Sequence, residues 1–171
     1  MAAVSVLARP RLASDTRAVR RVARATWRAT YGPIAPPGFI GLVLRRGYAR
    51  ERLVLGLVER KRDAFVAEVD GRVVGYADAF EETPGLVELR RIYVEPTAQG
   101  RGVGRALLDA VVTAARARRA ARIEAAVDVS NASAVAWYER NGFVRCGQGV
   151  FEVGEWSRPQ VRLGRGVSSS P

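Results

Sequence analysis

The sequence predicts a mixed α/β domain in which a sheet is flanked by helices. Three observations carry that prediction. Residues 64–69 and 72–77 read as strands on either side of Asp70-Gly71, a strong two-residue hairpin turn. Leu107, Leu108, Val111, Val112 and Ala115 recur at spacings of three and four, which lines one face of a helix. Between these patterns, a strand-like run over Leu86–Val94 leads into Gln99-Gly100-Arg101-Gly102-Val103-Gly104, so strand, glycine-rich turn and helix follow one another. Strands and helices that alternate in this way bury their apolar faces best as a mixed sheet covered by helices. At 171 residues the chain is most economically a single domain, read as residues 1–163 followed by a small, polar, flexible tail over residues 164–171.

The elements follow in order. Residues 4–7 read as a short first strand. Ser14 or Asp15 is placed to cap a helix whose apolar face is Val19, Val22, Ala23, Thr26 and Trp27. Tyr31-Gly32-Pro33 stops it, and Pro36-Pro37-Gly38 keeps the chain irregular. A second helical stretch includes residues 39–44, and a third spans residues 51–62 with Leu53, Val54, Leu57 and Val58 on one side. After the hairpin, Thr83-Pro84-Gly85 turns the chain into the strand before the glycine loop. Residues 122–127 form the next strand and residues 132–140 a short helix, which Asn141-Gly142 ends. Residues 143–153 and 160–163 make a final strand pair.

Composition narrows the function classes. An apolar fraction of 48% and a charged fraction of 26% are ordinary for a soluble globular protein, and no run of eighteen apolar residues occurs, so no membrane partner is expected. Residues 1–9 lack the basic start and apolar stretch of a secretory signal, which makes the cytoplasm the expected compartment. The absence of histidine rules out His-based triads and His-ligated metals. The single cysteine, Cys146, rules out an internal disulfide and gives no metal-binding cluster. The net charge of +11 is almost all arginine, Lys61 being the only lysine, and it is scattered without a long basic run or an aromatic-basic module. It reads as compositional bias more than as a nucleic-acid interface.

The glycine loop is an anion site in outline. The first amides of a helix have no intrahelical partner, the macrodipole adds partial positive charge there, and glycines let the backbone approach a phosphate closely. A Walker loop needs Lys then Ser or Thr after its last glycine, where this chain has Arg105 and Ala106. A Rossmann fingerprint needs a final glycine where Arg105 or Leu107 stands. What fits is Gln-x-x-Gly-x-Gly, and here the chain resembles the GNAT superfamily of acyl-CoA-dependent N-acetyltransferases. In that family this loop wraps the pyrophosphate of coenzyme A. The resemblance continues through Val129-Ser130-Asn131-Ala132-Ser133-Ala134 and Trp137-Tyr138-Glu139-Arg140-Asn141-Gly142-Phe143, which is similar to the family's asparagine-plus-tyrosine helix. It implies a central, mostly antiparallel twisted sheet flanked by helices, acetyl-CoA as cosubstrate with no metal, and transfer to a primary amine by direct attack in a ternary complex.

The same resemblance assigns roles. Gln99, Gly100, Arg101, Gly102, Val103, Gly104 and Arg105 are the candidate pyrophosphate loop. Ile92, Tyr93 and Val94 offer extended backbone to the peptide-like arm of the coenzyme, with an N–H near Val94 as oxyanion donor. Asn131 matches the asparagine that contacts the pantetheine arm, and is also a good N-cap. Acyl transfer from a thioester needs a base for the amine, donors for the oxyanion and a proton for the thiolate. Tyr138 is the candidate proton donor, its other reading being packing beside Trp137 and Phe143. Glu88, eleven residues before Gln99 (99 − 88) on the same strand, matches the base of the histone-acetylating branch. Burial beside apolar strand residues would raise its pKa usefully; the alternative is an ion pair with a neighbour such as Arg90. Glu81 and Glu82 are placed to draw in a cationic amine or relay its proton, with solvated surface as the other reading. Trp27, Tyr31 and Phe39 lie in helices that wall the acceptor pocket in the family, where core packing is the competing role.

The expected acceptor is a small amine or polyamine; a protein N-terminus or lysine is the alternative. The branch that acetylates a ribosomal-protein N-terminus has a glutamate five residues before its asparagine, where this chain has Ala126, with Glu124 two residues earlier. That departure weighs against this branch. A non-catalytic acyl-CoA-binding sensor and, on charge alone, a nucleic-acid-binding module are the readings from other classes. Monomer and homodimer both stay open.

Overall fold

Burial follows the two periods read from the sequence, and it organises the computed structural model, which describes residues 5–167. The elements are β1 (Val6–Pro10), α1 (Thr16–Tyr31), α2 (Phe39–Gly47), α3 (Arg50–Leu55), β2 (Arg62–Val69), β3 (Arg72–Thr83) and β4 (Leu86–Val94), then α4 (Val103–Ala117), β5 (Arg122–Asp128), α5 (Ala132–Arg140), β6 (Val144–Val153) and β7 (Trp156–Gly166). The strands join in one seven-stranded sheet of order β1-β2-β3-β4-β5-β7-β6. The β1–β2, β5–β7 and β6–β7 pairs are antiparallel, and β4–β5 is parallel. This is the mixed, mostly antiparallel sheet flanked by helices that the sequence predicts.

The chain forms two compact units. One takes in the chain up to Ala79 together with Arg91–Val111; the other takes in Phe80–Arg90 and the chain from Val112 onward. In the first unit, Val6 to Pro10 of β1 pair with Val69 to Phe65 of β2. Asp70 and Gly71 then turn the chain with φ of 52° and 74°, the two positive values that a type I′ hairpin requires. α1 buries Val19, Val22, Ala23, Thr26 and Trp27, the face its spacing predicts, and packs on α2 and α3. In the second unit, Ile123 of β5, Phe143 and Leu163 of β7 are all but fully buried. There β7 pairs with β5 on one side and with β6 on the other.

Four expectations about boundaries change. The first strand runs over Val6–Pro10, later than residues 4–7, and Val4 lies outside the described residues. Asp15 stands at the N-cap of α1 but makes no side-chain cap bond. Its carboxylate instead accepts from the Leu12 amide at 2.7 Å and from Arg9 at 2.8 and 2.9 Å. The third helix ends at Leu55; Val58 is 79% exposed, so the apolar spacing that suggested a continuation buries nothing there. Arg62, expected as its last residue, opens β2, because its guanidinium is drawn to the buried Asp78. Last, β7 runs on to Gly166, where the Arg122 pairing holds residues that read as tail.

Candidate active site

The glycine loop is built from the end of β4. The Glu95 amide donates to the Val74 carbonyl at 2.8 Å, and the buried Glu95 carboxylate takes Arg21 at 2.8 Å and Arg72 at 3.0 Å. A short 3-10 turn over Pro96–Ala98 follows. Gln99 Nε2 then donates back to the Val94 carbonyl at 3.3 Å, which ties the loop to the strand. Gly100 and Gly102 have φ of +74° and +80°, and a Cβ on either would meet nothing within 4 Å. Their glycine character is therefore a requirement of backbone conformation and not of crowding. The first ladder bond of α4 runs from the Ala106 amide to the Gly102 carbonyl at 3.0 Å, so Val103, Gly104 and Arg105 supply the helix-start amides. Gly75 of β3 has the opposite need: a Cβ there would lie 3.0 Å from the Tyr93 carbonyl oxygen and 3.0 Å from Val103 Cγ1, so only glycine lets α4 press onto the sheet at this point.

A strand, a loop with two left-handed glycines and a helix start with open amides make a backbone cradle of the kind that suits a phosphate. Arg101 and Arg105 stand beside it, both substantially exposed, the first 4.0 Å from Asp70 and the second bonded to Asp109 at 2.9 Å. Residues 27–143, which include the whole of this cradle, match the family model described as the acetyltransferase (GNAT) family. The chain belongs to this family. An uncharacterised N-acetyltransferase of Mycobacterium bovis is 28% identical over 141 residues, covering 82% of this chain and 90% of that one. A mycothiol acetyltransferase of Salinispora tropica is 40% identical over 88 residues, covering 47% and 29% of the two chains. Among solved structures, the PaiA N-acetyltransferase of Thermoplasma acidophilum, in complex with coenzyme A, superposes with a TM-score of 0.79 at 20% identity over 95% of this chain and 99% of its own. The chain is thus a GNAT N-acetyltransferase, and the fold is that of the family.

In this GNAT chain β4 pairs with β5 only over Leu86–Glu88, so Ile92, Tyr93 and Val94 lie beyond that ladder. On α5, Asn131 is the N-cap: its Oδ1 accepts from the Ala134 amide at 3.2 Å and from Ser133 Oγ at 3.1 Å. Asp128, buried at the end of β5, accepts from the Ser130 amide and hydroxyl and pairs with Arg158 at 2.9 Å, which holds the turn into α5. Tyr138 is buried with its ring edge-on to Trp137 and Phe143, each 5.1 Å away between centroids. Burial raises its phenol above the ordinary tyrosine value.

The carboxylates singled out in the sequence all face arginine. Glu88 pairs with Arg90 at 3.0 Å with its side chain 25% exposed, so the apolar burial expected around it is replaced by an ion pair. It also stands in register with Glu124, which takes Arg122 at 2.7 Å and Arg162 at 2.8 Å. Arg90 lies over the Phe80 ring and reaches Glu82 at 3.2 Å, which brings Glu82 and Glu88 to one guanidinium. Glu81 faces Arg118 at 3.6 Å. Trp27 packs on Tyr31 and Phe39 at 4.7 and 6.4 Å, and its Nε1 donates to the Tyr48 hydroxyl at 3.3 Å.

The sequence reading missed one polar cluster in the first unit. Asp78, 3% exposed, accepts from Arg62 at 2.8 and 2.9 Å and from Arg91 at 3.0 Å. Arg91 lies over the Tyr48 ring and donates to the Gly47 carbonyl at 3.2 Å, which ties the end of α2 to β4. Tyr76 packs between Tyr48 and Tyr93. A lone carboxylate inside the apolar run Val73-Val74-Gly75-Tyr76-Ala77-Asp78-Ala79 was the available signal, since a buried charge calls for partners. Among the described residues no group of three His, Cys, Asp or Glu side chains is placed to hold a metal, and no helix is long and apolar enough to cross a membrane.

Proposed function

We propose that this enzyme transfers an acetyl group from acetyl-CoA to a small primary amine by direct attack in a ternary complex. The observation that carries the reading is the cradle of Gly100, Gly102 and the open amides at the start of α4, which suits the pyrophosphate of coenzyme A. Arg101 and Arg105 add charge beside it. The backbone of Ile92–Val94, beyond the β5 ladder, receives the pantetheine arm as an added strand would, and the Val94 amide donates to the oxyanion. Asn131 keeps its capping bond and contacts the same arm.

Tyr138 protonates the departing thiolate. Its raised pKa keeps the proton in place at neutral pH, and a thiolate released into equally dry surroundings becomes more basic by the same desolvation. Glu88, directly or through water, takes the proton of the amine, and Arg90 orients it. The test is acetyl-CoA-dependent thiol release over a panel of amines, repeated with Tyr138→Phe. The variant is expected to lose about 10²-fold or more in kcat while still binding acetyl-CoA. An unchanged kcat removes the donor assignment. Acetyl-CoA binding with no turnover of any amine favours the sensor reading instead.

A further inference from the structure

Arg11, the first residue after β1, is 6% exposed. Its Nη2 donates to the Leu53 carbonyl at 2.6 Å, but its Nε meets no acceptor and no carboxylate pairs with it among the described residues. Asp78 is the carboxylate that acts on it electrostatically, and Asp78 is already taken by Arg62 and Arg91. Arg62 has a second partner in Glu59 at 2.8 Å. The Tyr76 hydroxyl, in a side chain 1% exposed, is likewise without a partner. Burial pulls the Arg11 pKa down and pushes the Tyr76 pKa up, which marks both polar groups as poorly solvated.

A buried cation whose counter-charge, Asp78, is shared with two other arginines, and two buried donors without acceptors, are costly arrangements. A carboxylate cures both, because its two oxygens accept several charge-assisted hydrogen bonds. Beside these groups, the Arg91 side chain is 26% exposed, and Tyr93 is half-buried with its ring 5.5 Å from that of Tyr76. Tyr93 directly precedes Val94, the residue assigned above to the oxyanion. We propose that Arg11, Tyr76 and Arg91 bind a carboxylate of the acyl acceptor, which makes the acceptor an amino acid or a closely related carboxylated amine, and not a polyamine. This assignment rests on the acetyl-transfer reading and adds the substrate class to it. A polyamine needs unpaired carboxylates for its extra ammonium groups, whereas Glu81, Glu82 and Glu88 each face an arginine.

The experiment compares thiol release from acetyl-CoA for an amino acid, its methyl ester and the amine lacking the carboxyl, over several side chains. The free acid is expected to exceed both others by about ten-fold or more in kcat/KM. Tyr76→Phe keeps the ring and removes the donor, so the preference for acid over ester shrinks toward unity. Arg11→Met shrinks it too, because the buried guanidinium is gone. Equal kcat/KM for the three forms, or a maximum with the decarboxylated amine, overturns the carboxylate site and leaves acetyl transfer standing. If no form turns over, melting temperatures decide. A rise with the N-acetyl amino acid that Tyr76→Phe abolishes supports the site. No rise, or an equal rise with inorganic phosphate at the same concentration, overturns it. A chain that fails to bind acetyl-CoA overturns both readings.

Discussion

Replacing Gly102 with alanine separates backbone strain from every other effect at the proposed coenzyme cradle. With φ at +80°, an L residue there is strained, and the open space around the position means that the new methyl group touches nothing. The cost is therefore conformational alone, about 1–2 kcal/mol. Because Gly100 and Gly102 are exposed, the free loop can relax away from this conformation, and the cost reappears when acetyl-CoA requires it back. Calorimetric titration is expected to show Kd for acetyl-CoA weakened about 5–30-fold, with little change in melting temperature. Gly75→Ala is the matched control. Its φ is not the issue, but its Cβ would press on the Tyr93 carbonyl, a backbone atom that cannot rotate aside. That variant is expected to lose about 1–3 kcal/mol of global stability. If Gly102→Ala binds acetyl-CoA as tightly as the parent, the left-handed loop is not the coenzyme cradle. A melting temperature lowered as much as in Gly75→Ala would equally show that the strain at Gly102 is not confined to the loop.

Glu88→Gln is expected to lower kcat about 10²-fold or more, with partial recovery as rising pH deprotonates the amine unaided; an unchanged rate would leave Glu88 as no more than the partner of Arg90. Asp15→Asn removes the carboxylate that Arg9 holds below its ordinary pKa of 3.8. A group depressed on folding stabilises fully above its unfolded-state pKa and loses that contribution as pH falls through the folded value. The variant should therefore be about 1.5–3 kcal/mol less stable at neutral pH, with the two urea midpoints converging in acid; a constant gap down to low pH would contradict the pairing. Asp78→Asn leaves Arg62 and Arg91 without their shared carboxylate and is expected to destabilise by about 3–5 kcal/mol, read as a lowered urea midpoint. A shift under 1 kcal/mol would mean that the cluster is well hydrated.

Much of this protein was determined locally. The Asp70-Gly71 hairpin, the apolar stripe of α1 and the strand-loop-helix around Gln99 to Gly104 depend on turn chemistry, on a period of 3.6 and on where glycines fall, all of which are written within a few consecutive residues. The same locality let the family resemblance be read before any packing was known. Helix ends were less legible: Val58 continued an apolar spacing that no partner buries, and Asp15 was drawn from a capping role by Arg9 six residues earlier.

What only the tertiary structure decided is which charge meets which. Asp78 collects Arg62 and Arg91 from 16 and 13 residues away, and Arg11 reaches Leu53 across 42, so no local pattern could announce them. Glu88 is read from sequence either as a carboxylate buried among apolar strand neighbours or as the partner of Arg90, two residues along the same chain, and the structure shows the Arg90 pair. The spacing could not choose between those fates, because the energy of a charge depends on the solvent and counter-charges that folding brings to it.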